Sequence, residues 1–254
     1  MGWSWTASRP TNRHHSTPQS CCQFEVGPGA ATPSKSAFNF LSTSMAAPHV
    51  TGITALIRKQ HPHGRPPRQS AIITSADDRD LDGNYVVDEQ FGGTADVVAV
   101  GAGQVNGSRA LDPGLVYEID MGIYPAYLCR LGYTDREVTI LWAMKVRCQN
   151  QRHVDASQLN YPSITIDSRQ TRGVISVKRT VKNVAAGPAE HYRARITFPA
   201  VVALSTNALR LMKNKAIVSP LPSILQLHQL SQFLEVEWVS AQHLVTTPIA
   251  VYWP

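Results

Sequence analysis

The chain has 254 residues, a formal net charge of +6, 43% hydrophobic and 17% charged residues, a composition that excludes a largely disordered protein. Its length allows one large domain or two of ordinary size. The Lys and Arg residues are scattered without the run that is typical of a nucleic-acid or membrane-binding patch, and no apolar run approaches the roughly eighteen residues of a membrane span.

The N-terminal residues 1–36 are rich in Ser, Thr, Pro, Arg and His and show neither helical nor strand periodicity. This pattern predicts an irregular or disordered segment. The segment also lacks the apolar core of a secretory signal peptide. Two alternatives stay open: a protein that is not exported by that route, and a chain whose true N-terminus lies further upstream.

Helical patterns follow from Phe38 to about Ala76. Ile53, Leu56 and Ile57 have helix spacing, and "PPRQSAIITSA" predicts a second helix with prolines at its entry. Turn signals then dominate up to about Asp120, and "YPAYLCRLGYTDREVTILWAM" predicts a further short helical region.

Two features of this central region concern covalent chemistry. Cys129 and Cys148 are disulfide candidates, although spacing alone does not establish a pair. Asn106, in Asn106-Gly107-Ser108, is a glycosylation candidate that has meaning only in a secretory compartment.

A calcium-loop pattern, D-x-D-x-D-G-x5-E, fits "DRDLDGNYVVDE" letter for letter. Asp78, Asp80, Asp82 and Glu89 would be the ligands, and Gly83 would make the turn. The motif normally lies between two helices, whereas "QFGGTADVV" follows here, and its two glycines do not continue a helix. These flanks argue against a calcium site, and we expect no metal.

After about Gln158 the pattern changes to period-two strands separated by Pro and Gly turns, which suggests a β-sandwich. One strand alternates Tyr192, Ala194, Ile196 and Phe198 with polar neighbours, and another places Leu234, Val236 and Trp238 on one face and Glu235 and Glu237 on the other. The Leu- and Gln-rich stretch Val218–Gln232 fits this pattern poorly.

Ser44 lies directly before the first predicted helix, in "FLSTSMAAPHVTGITALI". The unpaired N–H groups and the dipole of a helix start allow two roles for such a serine. It is either a helix cap or a nucleophile near groups that stabilise an oxyanion. Helix propensity does not separate the two.

A family resemblance does separate them. "STSMAAPHVTGITALI" resembles the segment around the nucleophile of subtilisin-like serine proteases, and Ser44 takes the place of that nucleophile. "GAGQVNGSRALDPGLVYEID" and "YPAYLCRLGYTDREV" resemble the plant subtilases in particular, and "QLNYPSITI" and "KRTVKNVAAGPAEHY" resemble their fibronectin-III-like domain. The resemblance runs from about Phe38 to Trp253, except for Val218–Gln232.

The resemblance implies an α/β remnant, the C-terminal part of a subtilisin-like catalytic domain made mainly of helices and loops, followed by an all-β fibronectin-III-like sandwich. The expected divisions are 1–36 irregular, 37–150 catalytic-domain part and 155–254 sandwich. The family further implies an extracellular serine endopeptidase with protein or peptide substrates, no cofactor and no nucleic-acid partner.

The sequence departs from the family at the catalytic residues. The family's base and orienting acid lie upstream of the serine, but residues 1–43 contain no Asp, and their histidines, His14 and His15, are not in the family motif. His49 should point about 140° around the helix from Ser44, and His63 lies where the family has an inter-helix turn. Ser42 stands where the family has a Gly beside the substrate backbone.

We therefore expect the isolated chain to lack peptidase activity although its family is enzymatic. An alternative is a non-catalytic protein-interaction module built on the sandwich, with Ser44 as an ordinary cap. A third possibility is a poorly folding fragment, in which the apolar face of the Ser44 helix is exposed or docks on the sandwich.

Overall fold

The computed structural model describes residues 24–25, 41–61, 67–80, 82–88, 93–95, 97–154, 159–167, 175–185, 187, 189–196, 202–203, 208–212, 216–224 and 234–252. Nearly all of the predicted irregular segment 1–36, with His14 and His15, lies outside the described residues. His63 and Glu89 lie outside them as well.

The described residues 41–154 form mainly helices and turns, as the sequence predicts. The helices are α1 (Thr43–Gln60), α2 (Arg68–Thr74), α3 (Val97–Val100), α4 (Gly107–Leu111), α5 (Ile123–Arg130) and α6 (Asp135–Trp142), followed by a 3-10 turn at Cys148–Asn150. Two short antiparallel pairs accompany them: β1 (Phe24–Glu25) with β2 (Leu41–Ser42), and β3 (Val87–Asp88) with β4 (Gly93–Thr94).

Helix α1 packs on α2 and α4. Ile57 of α1 is buried in a small cluster with Ala71 and Ile72 of α2 and Ala110 of α4. The predicted helix spacing is confirmed for Ile57, but Leu56 is 54% exposed, because adjacent helical residues point about 100° apart and only one of the two reaches this narrow contact.

The second part is a β-sandwich of two sheets. Its strands are β5 (Leu115–Tyr117), β6 (Ile164–Asp167), β7 (Ile175–Asn183), β8 (Ala189–Ile196), β9 (Val202–Ala203), β10 (Ala208–Met212), β11 (Ala216–Ile224), β12 (Leu234–Val239) and β13 (Leu244–Tyr252). One sheet has the order β10-β8-β12-β13-β6, and the other has the order β5-β7-β11-β9. Neighbouring strands are antiparallel except for β13 and β6.

The predicted alternation of these strands is confirmed where their side chains are described. Tyr192, Leu234, Val236 and Trp238 are at most 1% exposed and share one core cluster. Phe198, the last residue of the predicted alternation, lies outside the described residues. Residues at every second position reach the same face of a strand, so this face of the larger sheet packs against the other sheet.

The opposite face of the larger sheet is covered by the helical part. Helices α2 and α3 both contact β13 on the sheet. Glu235 and Thr246 point to this side and are only 7% and 5% exposed. The sequence predicts Glu235 on a polar face, and the structure shows it buried there.

Strand β5 links the two parts in a way that the sequence did not predict. It lies among the turn signals between Asp77 and Asp120, yet it pairs antiparallel with β7 in the sandwich. Leu115 and Tyr117 are buried in the sandwich core. Three residues are too few to show a period, so a periodic pattern does not predict this strand.

The stretch Val218–Gln232, which fitted no strand, also differs from expectation. Its first seven residues belong to β11, which pairs with β7 along the strand. The pairing contains an irregularity between Leu221 and Ser223, next to Pro222. Because proline has no N–H to donate and is tolerated at bulges, a strand with prolines at this point is readily misread.

No helix in the described part of the chain has the length and apolar character needed to cross a membrane.

Candidate functional site

Ser44 is the second residue of α1 and therefore lies in the first turn of that helix. Ser42, two residues before it, belongs to β2 and is opposite Phe24 of β1. The N–H groups of a first helical turn have no partner within the helix and lie at the positive end of its dipole. This backbone can therefore stabilise an oxygen that becomes negatively charged beside it. The side chain of Ser44 lies outside the described part of the chain.

Pro48 affects the backbone at Ser44. It lies inside α1 as the sixth residue of the helix. An N–H at this position would donate to the carbonyl of residue 44, and proline has none. The proline thus interrupts the helical hydrogen-bond ladder at Ser44, the candidate nucleophile.

Two histidines near Ser44 in sequence have described side chains. His49 lies on α1 and is half-buried. His61 follows the last residue of α1, and its Nε2 lies 2.8 Å from the Leu111 carbonyl oxygen at the end of α4. Seventeen residues separate it from Ser44, so about 25 Å of helix lies between them. His61 therefore holds α1 to α4 and is not brought to Ser44.

The calcium-loop residues form a turn that is held by its own contacts. Asp80 Oδ1 accepts hydrogen bonds from the backbone of Asp82 (2.9 Å) and Asn84 (2.8 Å). The Arg79 side chain donates to the Gly83 carbonyl (3.0 Å) and lies over the Tyr85 ring at 4.1 Å.

The flanks of this turn do not match the calcium motif. The chain continues into the β3–β4 pair and not into a helix. Among the residues that the structure describes, no three metal-ligating side chains are grouped so that they could hold an ion.

Asn106, the glycosylation candidate, is the N-cap of α4. Its Oδ1 accepts from the Arg109 backbone (3.0 Å), and its Nδ2 donates to Asp77 Oδ2 (2.9 Å). The Arg109 guanidinium donates to Asp77 Oδ1 and to the carbonyl of Leu244 in β13 (2.7 Å). Glycosylation at this sequon stays a prediction, and a glycan on Nδ2 would disturb the contact that attaches α4 to Asp77.

Cys129 of α5 and Cys148 form a disulfide in the structure, with 19 residues of sequence separation. The bond joins the last turn of α5 to the chain that follows α6. Covalent closure of this segment reduces the conformational freedom of the unfolded chain.

A cluster of titratable side chains connects the turn at Asp112 to the sandwich. His243 Nδ1 lies 2.8 Å from Glu190 Oε2, and His243 Nε2 lies 3.2 Å from Asp112 Oδ2. The hydroxyl of Tyr192 donates to the same Glu190 carboxylate. Burial, followed by the nearby Glu190, raises the pKa of Tyr192, so this hydroxyl keeps its proton and remains a donor.

Gly114 makes the close approach at this cluster possible. It has a φ of +71°, and a Cβ at this position would lie 2.7 Å from both His243 Cγ and the Tyr192 hydroxyl oxygen. A side chain would therefore be strained by the backbone conformation and would also clash. Beside the cluster is an open cavity of about 400 Å³, lined by Arg109, Arg195 and the β12–β13 turn.

The chemistry of this cluster favours a structural role. Both ring nitrogens of His243 lie close to a carboxylate oxygen, so the ring joins Glu190 of the sandwich to the turn at Asp112. Because both nitrogens of His243 face carboxylates, neither is available to take a proton from a nucleophile. Sequence reasoning missed the cluster because Asp112, Glu190 and His243 come from three distant segments with no spacing signal.

In comparisons with known proteins, two family models match two separate stretches of the chain. The subtilase family model matches residues 24–93, which include Ser44. A fibronectin type-III domain model matches residues 158–251. Strand β5 falls between the two matched stretches.

The curated relatives are subtilisin-like proteases of plants. Subtilisin-like protease SBT1.4 of Arabidopsis thaliana is 33% identical over 87% of this chain and 30% of its own length. SBT1.6 and SBT5.4 of the same organism are 38% and 34% identical, over 76% and 82% of this chain and 26% and 27% of their own lengths. The chain spans less than a third of the length of these relatives, and over most of its own length it is similar to plant subtilisin-like proteases.

Proposed function

We propose that this chain is part of a subtilisin-like serine endopeptidase and that Ser44 is its nucleophile. The single observation that supports this most strongly is the segment "STSMAAPHVTGITALI" at the start of an 18-residue helix. The family match over residues 24–93 includes this segment. In the proposed reaction the Ser44 hydroxyl attacks the scissile carbonyl, and backbone N–H groups of the first turn of α1 stabilise the oxyanion.

The proposed nucleophile needs a base to accept its proton and a carboxylate to orient that base. Residues 1–43 contain no Asp, and His61 is bound to Leu111 at the far end of α1. We therefore expect the isolated chain to be inactive. Another polypeptide segment would have to supply the subtilase base and acid.

A chimera tests the proposal. The part of SBT1.4 upstream of its matching region is fused to residues 38–254 of this chain, and hydrolysis of a quenched peptide is measured. Ser44→Ala is the inactive control, and the same upstream part with the SBT1.4 C-terminal region is the active control. Turnover that Ser44→Ala abolishes is the expected result. A folded chimera without turnover, while the SBT1.4 control is active, would contradict the proposal.

Ser42 is expected to reduce the turnover of this chimera. The family has a Gly at this position beside the substrate backbone, where a side chain intrudes. We expect Ser42→Gly to increase kcat/KM of the chimera. An unchanged kcat/KM would show that residue 42 does not contact the substrate.

A second candidate function is a non-catalytic binding module built on the sandwich. Two differences from the family pattern favour it: Ser42 stands where the family has a Gly, and residues 1–43 contain no Asp. In this case Ser44→Ala would leave partner binding unchanged. It would also change the stability of the helix little, because Ser44 is the second residue of α1 and not its N-cap as the sequence suggested. The Cys129–Cys148 disulfide favours a secretory compartment for either function.

A further inference from the structure

The start of helix α4 contains an Asn-Gly pair, Asn106-Gly107, and no other asparagine of the chain is followed by glycine. An asparagine side chain loses ammonia when the backbone nitrogen of the next residue attacks its Cγ. Glycine favours this reaction, because it has no side chain to obstruct the attack and leaves the backbone free to rotate. Of the asparagines in this sequence, Asn106 is therefore the one most prone to deamidation.

The fold holds the Asn106 amide at both of its polar atoms. Oδ1 accepts from the backbone N–H of Arg109 (3.0 Å), and Nδ2 donates to Asp77 Oδ2 (2.9 Å). Gly107 is also close to a neighbour, because a Cβ on it would lie 3.5 Å from Ile53 Cγ1 of α1. A side chain fixed in this way does not turn its Cγ onto the Gly107 nitrogen, so these contacts protect the amide.

The product of the reaction does not fit the same site equally well. Hydrolysis replaces the amide with a carboxylate, which would lie beside the Asp77 carboxylate where Nδ2 now donates. Two carboxylates that share a site repel each other, and Arg109 already donates to Asp77 and to the Leu244 carbonyl. An aspartate still caps the helix, because Asn and Asp are equally good N-caps. The aspartate product thus changes the contact with Asp77 and not the cap.

Helix α4 connects three parts of the fold. Arg109 joins it to Leu244 of β13, and the carbonyl of Leu111 at its end contacts His61, which follows α1. Asn106 at its start is half-buried, so water reaches this amide. A covalent change at Asn106 would therefore affect the junction between the helical part and the sandwich.

We propose that Asn106-Gly107 is a self-modification site that deamidates when α4 separates from Asp77, and that the product keeps the two apart. The Gly107 nitrogen forms a bond to Asn106 Cγ, the bond between Cγ and Nδ2 breaks, and ammonia leaves with the proton of the Gly107 N–H. Water then opens the cyclic imide to an aspartate or an isoaspartate, without an oxidant or a reductant. This inference does not depend on the proposed proteolytic function.

The rate of deamidation tests the protection by Asp77. The full chain, produced without glycosylation, is kept in mildly alkaline buffer, and peptide mass spectrometry follows the conversion of Asn106 to the acid. Asp77→Ala removes the acceptor of Nδ2 and should increase the rate at least about threefold, because one hydrogen bond contributes a factor of that order. Asp82→Ala, in the exposed turn that follows, removes the same charge and should leave the rate unchanged.

Two further measurements separate the effect of the fold from the chemistry of the pair. In concentrated urea the unchanged chain and Asp77→Ala should react equally fast, because the contact with Asp77 exists only in the folded chain. Gly107→Ala should lose most of the reaction in buffer and in urea, because its methyl group obstructs the attack. That methyl group lies at an ordinary contact distance from Ile53, so the melting temperature should be nearly unchanged.

Asn106→Asp tests the consequence of the reaction. Amide hydrogen exchange in α4 should be about tenfold faster than in the unchanged chain, because a hydrogen bond is replaced by repulsion between carboxylates. Asn106→Ser keeps a capping oxygen without a charge. It is the matched control and should have a smaller effect.

Three results would overturn the proposal. One is an equal rate of deamidation in the folded chain and in folded Asp77→Ala, because the contact would then give no protection. Another is the absence of the acid at position 106 in Asp77→Ala after long incubation. The third is equal hydrogen exchange in Asn106→Asp and Asn106→Ser, because the carboxylate would then not keep α4 apart from Asp77.

Discussion

The sandwich and the helical part bury their apolar side chains in different ways. Within the described residues, thirteen buried side chains of the sandwich and β5 form one cluster around Trp238 and Tyr192. The helical part has three separate clusters with five, four and three buried members. The cluster of five is completed by Leu159 and Tyr161, which follow the helical part in sequence.

This difference indicates that the helical part depends on contacts with the sandwich. Small separate clusters bury little apolar area for each ordered residue. The contacts that supplement them include Arg109 with Leu244 and Ser70 Oγ of α2, which accepts a hydrogen bond from the Tyr117 backbone of β5 at 2.9 Å. Helix α1, which contains Ser44, packs on α4, and α4 is joined to β13 by Arg109. The position of Ser44 is therefore supported indirectly by the sandwich.

The largest expected effect is in the sandwich core. Trp238→Ala removes a side chain that is 0% exposed and should lower the free energy of unfolding by about 3–5 kcal/mol. Because the helical part is stabilised by contacts with the sandwich, both parts should unfold in one transition. The near- and far-UV circular dichroism signals should therefore be lost together. A helical signal that persists after the sandwich has unfolded would show that the helical part is independent.

The disulfide should have the next largest effect. Replacement of Cys129 and Cys148 by Ser opens the closed segment and should cost about 3 kcal/mol in the chain-entropy model. Urea unfolding measures this loss. Hydrogen exchange should show the greatest loss of protection in α5 and α6, and equal losses in the sandwich would contradict a local role.

Arg109→Ala should weaken the junction itself. It removes the hydrogen bonds to Asp77 and Leu244, and we expect a loss of about 1–2 kcal/mol because Arg109 is partly exposed. Amide protection should fall in α4 and α1 more than in β12. Arg58→Ala, at the exposed end of α1, is the control and should change stability little.

The smallest expected effect depends on pH. Hydrogen bonds from the Thr134 backbone and hydroxyl lower the pKa of Glu137 below its ordinary value of 4.5. A lowered folded-state pKa means that this stabilisation is present above the unfolded-state pKa and is lost as the pH falls through the folded-state pKa. Glu137→Gln keeps a capping side chain without a charge. Its melting temperature should therefore decline less between about pH 6 and pH 3, and an identical decline would exclude Glu137 as the cause.

The sequence predicted the sandwich well because its long strands alternate. Leu234, Val236 and Trp238 are buried as expected, since a period of two determines which face of a strand they reach. Strand β5 was missed because three residues show no period. The burial of Glu235 was not predicted, because the alternation of β12 placed this charged residue on the polar face.

Only part of the candidate site was predicted from the sequence. The string around Ser44 placed the serine at the start of a helix, and α1 begins at Thr43. The cluster of His243, Glu190 and Asp112 was not predicted, because its members meet only through the fold.

Fluorophosphonate labelling reports on the proposed nucleophile itself, because this probe reacts only with an activated serine. We expect that the isolated chain is not labelled and that the SBT1.4 chimera is labelled at Ser44, as located by peptide mass spectrometry. Ser44→Ala should abolish the label in the chimera. Labelling of Ser44 in the isolated chain would contradict the absence of a base, and a folded chimera without the label would contradict the role of Ser44.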